Sequence, residues 1–246
     1  FGDQRFGSAR HGGGFAAKHL VRGEFEEALR LLVGTPARKD SGATRVMTRA
    51  AASDWGNWRK ILGVLPRMPE RASFEALAAG RDFRDAFAAL PQFTQLMAVE
   101  AYQSHLWNAV ARSFVMRTTG ERERIEADDP FGVMLFPFAR SMPDEYRSLR
   151  LPLFAPETQF EQPWAEDAAA VLAEEGLSME NLVIPGLRRP FFGESERSLF
   201  VRAEGFEQDR PVPDTFDRTG KRFARTLRFS LPRGAYATVV LRALGQ

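Results

Sequence analysis

The chain has 246 residues, enough for one large domain or two smaller ones around a sizeable buried core. It has no cysteine and three histidines, His11, His19 and His105, which excludes disulfides, zinc knuckles and thiol nucleophiles within these residues and makes a histidine-rich metal site a poor expectation. A net charge of +2, with 44% hydrophobic and 27% charged residues, excludes a disordered chain, and no apolar run approaches the roughly 18 residues of a membrane span.

Residues 1–23 are glycine-rich and read as irregular. Glu24 to Val33 read as a helix, with Phe25, Ala28, Leu29 and Leu32 at i, i+3, i+4, i+7 spacing and Gly34 as the stop. "TPARKDSGAT" reads as a polar connection. "SDWGNWRKILGVLP" is predicted to be one helix, with Trp55, Trp58, Leu62 and Leu65 on one side. Two short helical pieces follow, ended by Gly80 and Pro91. Gln92 to Thr118 is the longest helical candidate, striped by Trp107, Val110, Ala111 and Phe114.

Proline and phenylalanine crowd residues 127–163, which predicts loops and short strands. "PWAEDAAAVLAEEG" is a helix closed by Gly176. "LVIPGLRRPFF" is a tight loop, and "SLFVRAE" alternates like a strand. Near the end, Leu227, Phe229 and Leu231 alternate with Thr226, Arg228 and Ser230, the mark of a half-buried strand. Pro232 to Gly234 turn the chain, and Ala235 to Leu244 read as a helix. Few strands precede this unit, so it is expected to belong to a sheet whose remainder is not in the chain.

Several local patterns invite chemical readings. All but four of the 34 basic residues are arginine, the lysines being Lys18, Lys39, Lys60 and Lys221. Arginine grips phosphate bidentately and stacks on bases, although codon composition alone can raise its count. His11-Gly12-Gly13-Gly14 resembles a lipase oxyanion loop, but the chain has no Gly-x-Ser-x-Gly elbow to accompany it, nor a P-loop Lys-Ser or Lys-Thr. A flexible loop is the simpler reading, with backbone contact to RNA phosphate as the alternative.

Gln103, Ser104, Trp107 and Asn108 share a helical arc of about 140° that overlaps the apolar stripe. Buried amides there need partners, so they should hold a neighbouring loop or a ligand. Arg188 and Arg189 sit beside proline and aromatics, a sensible phosphate contact. Tyr236 opens the last helix, where a ring can stack on an extruded base or simply pack in the core.

Taken in order, "FGDQRFG", "AYQSHLWN", "RRPFF" and "LPRGAYATVVLR" resemble the TruD family of RNA pseudouridine synthases. The family carries an Asn-x-Phe-Gly-x-Gln-Arg-Phe-Gly stretch, and this chain starts at its first Phe. The resemblance implies an α+β fold: a largely helical inserted domain over 1–206, and over 207–246 the C-terminal strand–helix portion of a mixed catalytic sheet. It implies isomerisation of uridine to pseudouridine, typically at position 13 of tRNA, with no metal or cofactor and no protein partner. The partner expected is tRNA or another structured RNA, with no membrane, for a monomer. The absence of cysteine makes a cytoplasmic protein the simplest reading. The C1′–N1 bond is cut, the uracil turns, and it is rejoined through C5, with one aspartate at work. That aspartate belongs to a Gly-x-Lys-Asp stretch upstream of the first motif. Lys39-Asp40 is a decoy in the wrong place, and Asp3 fills a slot that varies in the family. The catalytic residue is therefore expected outside this chain, which alone should be inactive.

Of the family's site residues, the resemblance implies Tyr236 as the stacking ring; Gln4, Arg5, Arg188 and Arg189 are expected as further RNA contacts. Phe1, Gly2, Phe6, Gly7, Gln103, Ser104, Trp107, Asn108 and Arg242 are implied as motif positions that shape the fold. Two other readings stay open: a non-catalytic RNA-binding fragment or degenerate paralogue, and a cofactor-free hydrolase, against which the missing triad elements argue.

Overall fold

The computed structural model describes residues 9, 12–38 and 40–245. Phe1, Gly2, Asp3, Gln4, Arg5, Phe6, Gly7, His11 and Lys39 thus lie outside the described residues. The region expected to be irregular contains a helix, α1 (Ala16–Leu20), whose Ala17 and Leu20 are fully buried. One turn and a half is too short to show a period, so packing rather than local pattern decides it.

The next helix, α2 (Phe25–Leu29), runs on as a π-helical turn through Gly34. Glycine is needed at 34 because a Cβ there would stand 2.9 Å from Trp55 Cζ3. Trp55 also donates Nε1–H to Glu26 Oε1 at 2.9 Å.

The expected polar connection instead gives way at Gly42 to α3 (Gly42–Asp54), and the single helix expected over 53–66 is two. Gly56 (φ +95°) breaks the path, and Asn57 starts α4 (Trp58–Val64) by accepting from Lys60 N at 3.2 Å. Trp55 and Trp58 meet edge to face at 5.1 Å across that break. Helices α5 (Arg71–Ala78) and α6 (Phe83–Ala88) follow as expected.

Helix α7 (Gln92–Thr118) organises the rest. Its 27 residues rise about 40 Å. Val99, Tyr102, Leu106, Val110 and Phe114 are fully buried, because α1 and several later elements pack around it. The hairpin β1 (Arg124–Ala127) and β2 (Met134–Pro137) comes next, then the single turn α8 (Asp144–Arg147) and β3 (Arg150–Pro152).

Helix α9 (Ala165–Glu175) ends at Gly176 in the left-handed region (φ +65°). It is tied to α7 through buried Asp167, which accepts from Ser113 Oγ at 2.6 Å and Arg117 Nη2 at 2.7 Å. Its last residue, Glu175, meets Lys18 Nζ at 2.6 Å and Tyr102 Oη at 2.8 Å, and so joins α1, α7 and α9.

Strand β4 (Glu196–Ser198) pairs antiparallel with β3, placing Leu151 opposite Arg197. The strand expected over 198–204 is therefore displaced: β4 ends at Ser198, and β5 (Glu204–Gln208) starts afresh. The apolar residues between them line a cavity instead of a ladder. The short strands β6 (Val212–Pro213) and β7 (Phe223–Ala224) pair with each other, and β8 (Leu227–Ser230) pairs with β5. Leu227 and Phe229 are half-buried while Arg228 and Ser230 are exposed, as the alternation predicts. Helix α10 (Ala237–Ala243) closes the described chain.

The architecture is α+β and largely helical, and the sheets among the described residues are two-stranded. No helix there is long and apolar enough to cross a membrane.

Candidate nucleic-acid interface

The polar arc on α7 is built to hold strands and loops. Gln103 Nε2 donates to the carbonyls of Phe154 (2.8 Å) and Gly193 (3.0 Å). Trp107 Nε1 donates to Leu151 O at 3.0 Å, and so fixes β3. Ser104 turns back onto its own helix, donating to Glu100 O at 2.7 Å. Because β3 carries β4, the same two anchors set the position of Arg197.

Two cavities open on either side of this scaffold. One, of about 420 Å³, is lined by Trp107, Asn108, Arg112, Phe131, Arg197 and Tyr236 among others. The other, of about 410 Å³, is lined by Gln92, Gln103, Ser104, Arg189, Phe191 and Arg197 among others. Arg197 faces both. The structure thus brings Trp107 and Asn108 together with Tyr236, which lies more than a hundred positions later. Gln103, Ser104 and Arg189 fall in the neighbouring cavity. Arg188 is exposed and lines neither.

Tyr236 is half-buried at the N-cap of α10. That helix is clamped by Arg242, whose Nη1 lies 2.7 Å from Asp129 Oδ2 and 3.0 Å from Asp128 O. Asp129 in turn accepts Phe131 N–H at 3.0 Å, so one carboxylate sets both the α10 wall and the β1–β2 turn. This commits Asp129 to structure. Asp40 is committed as well: its Oδ2 accepts from Ala37 N (2.9 Å) and Thr48 Oγ1 (2.8 Å), and it does not line either cavity. Among the described residues no group of histidine and carboxylate side chains is arranged to hold a metal ion.

Sequence reasoning missed Arg112, Phe131, Phe191 and Arg197. Arg112 follows Asn108 at i+4 on the same face, which is a usable signal in retrospect. Its guanidinium lies over Gly132 (φ +112°), where a Cβ would collide with Nη1. The other three announce themselves only in three dimensions.

The sequence model of the family described as tRNA pseudouridine synthase D (TruD) matches residues 1–130 and 136–244. The chain belongs to the TruD family. It is 30% identical over 251 residues to the tRNA pseudouridine synthase D of Aquifex aeolicus, an alignment covering 99% of this chain and 60% of that protein. A solved structure from Methanosarcina mazei, described as a tRNA pseudouridine synthase D (TruD), superimposes with a TM-score of 0.70 at 24% identity, over 99% of this chain and 59% of that one. At that identity the likeness concerns the fold alone. The chain spans about 60% of the length of the curated relatives it matches.

Proposed function

We propose that the protein is a tRNA pseudouridine synthase of the TruD type, isomerising uridine, at position 13, to pseudouridine. The observation that carries this reading is the meeting of Tyr236 with Trp107 and Asn108 on one cavity, in a chain of this family. Tyr236 serves as a stacking surface for the extruded uracil. Extrusion costs a few kcal/mol of lost stacking in the RNA, and an aromatic platform offsets part of it. Exposed Arg188 and Arg189 supply phosphate contacts. Gln103, Trp107 and Arg242 act through the backbone they hold.

In this reading the catalytic aspartate comes from outside these 246 residues, as the resemblance to the family's Gly-x-Lys-Asp stretch implies; Asp40, the decoy, is tied to Ala37 and Thr48. The inserted domain then covers 1–206 and the catalytic sheet 207–246, with β5 (Glu204–Gln208) carrying the chain across that boundary to its partner β8 and then α10.

Two assays on one preparation test this. A gel shift measures binding of a tRNA transcript made without modification, and carbodiimide mapping detects pseudouridine. The expected result is binding without conversion by these residues, and conversion once an aspartate-bearing catalytic segment is supplied. Robust conversion by the chain alone that disappears in Asp40→Ala would overturn the placement of the nucleophile. Absence of any RNA binding would overturn the function.

Phosphate contacts also predict salt dependence. Replacing Arg188 and Arg189 together with alanine is expected to weaken tRNA binding and reduce the slope of log affinity against log salt by about one to two. An unchanged slope returns both residues to a structural role.

A further inference from the structure

We infer that the second cavity is a subsite for an unpaired nucleotide next to the target base. The inference rests on the RNA reading above and adds a site to it. Phe191 is 60% exposed and Leu96 is 41% exposed, and both line this cavity. An aromatic ring left that open is not a core residue, and its face is available to a base.

The loop that carries the ring is held in place. Gly193 follows Phe191 by two positions. The Gly193 carbonyl is in turn held by buried Gln103 at 3.0 Å. Its neighbour Phe192 is only 3% exposed and roots the loop in the core. A preformed platform of this kind loses little freedom on binding.

The lining chemistry selects the partner. Arg189 lines the cavity, is exposed, and makes no ion pair among the described residues. Arg197 lines it as well, and Glu100 and Glu194 bring carboxylates to the same wall. A guanidinium for the phosphate beside an open ring for the base suits a nucleotide better than an apolar peptide. Gln92 and Glu194 also line the site and offer a donor and acceptors to a base edge. Continuity supplies the remaining argument. Arg197 lines both cavities, so the proposed subsite adjoins the cavity that Tyr236 borders. A rigid duplex cannot offer a splayed base to such a ring, so the occupant is unpaired RNA.

The test compares two RNAs by fluorescence anisotropy: an unmodified tRNA transcript, and a fully paired RNA duplex of similar size. Phe191→Ala is expected to weaken tRNA binding about tenfold while duplex binding stays as it was. Phe191→Trp, which keeps a stacking face, is expected to restore it. If the wild-type chain binds tRNA and Phe191→Ala binds it equally well, the subsite is wrong and the RNA reading stands. If the wild-type chain binds neither RNA, both fall. If Phe191→Ala and Phe191→Trp alter self-association on gel filtration without changing RNA affinity, the surface belongs to a second copy of the chain and the subsite is again overturned.

Discussion

Glu175→Ala is expected to destabilise the fold by about 2 kcal/mol, read as a loss in urea or thermal unfolding at neutral pH. The Glu175 carboxyl is held at about 2, against an ordinary 4.5, by His105, Lys18 and Tyr102, in spite of the burial that opposes its charge. Lys18 Nζ at 2.6 Å and Tyr102 Oη at 2.8 Å are at hydrogen-bonding distance, whereas His105 Nε2 stands 3.6 Å away. We therefore assign the larger share to Lys18 and Tyr102. A shift of that size converts to about 3 kcal/mol, but Lys18 is 35% exposed and water screens its part.

The sign follows from the direction. A carboxyl whose folded value is depressed contributes fully above its unfolded value, and that contribution is lost as pH falls from about 4.5 towards about 2. Acid unfolding of the wild type should draw on this window, and Glu175→Ala should lose that part of the pH dependence. Glu175→Gln keeps an acceptor for Tyr102 without the charge and should fall between the two. A neutral-pH stability equal to wild type in Glu175→Ala would mean that the contacts joining α1, α7 and α9 are ornamental.

Tyr102 shows the same contact from the other side. Burial first, and then its bond to Glu175, push the phenol well above its ordinary value, so it stays a donor throughout the working range. These two residues lie 73 positions apart, and nothing in either local sequence points to the other. Helix α7 itself was legible, because Pro91 punctuates its start and the pattern is long. Helix α9 was legible through Gly176, and the final strand–turn–helix through its change of period.

Helix α3 was not legible, since Met47, Thr48 and Ala51 are its buried residues and one of them is polar. The break at Gly56 was hidden because Trp55 and Trp58 are at helical spacing yet meet across a turn. The site divides in the same way. The positions of Trp107, Asn108 and Tyr236 could be named from motifs, but motifs give order and not proximity. Arg112 and Arg197 were lost among many arginines, because what distinguishes them is the cavity each one faces.

Tyr236 is the residue on which the functional reading turns. It caps α10 in extended backbone geometry (φ −119°, ψ 122°), and its side chain borders the cavity instead of the main core. None of the residues of α10 is fully buried, so truncating a ring at its start should cost the fold little. Tyr236→Phe keeps the stacking face and should retain most of the activity of the catalytically complete protein. Tyr236→Ala removes stacking worth about 1–3 kcal/mol, as for bases on aromatic platforms, and activity should fall about tenfold or more. The melting temperature should hardly move. Thermal denaturation and carbodiimide mapping on the same preparation separate the two roles. If Tyr236→Ala unfolds the protein, the ring is core packing. If it folds and turnover is intact, the ring borders the cavity without touching the base, and the uracil must be held by other groups in that wall, with Trp107, Asn108 and Phe131 the next to replace.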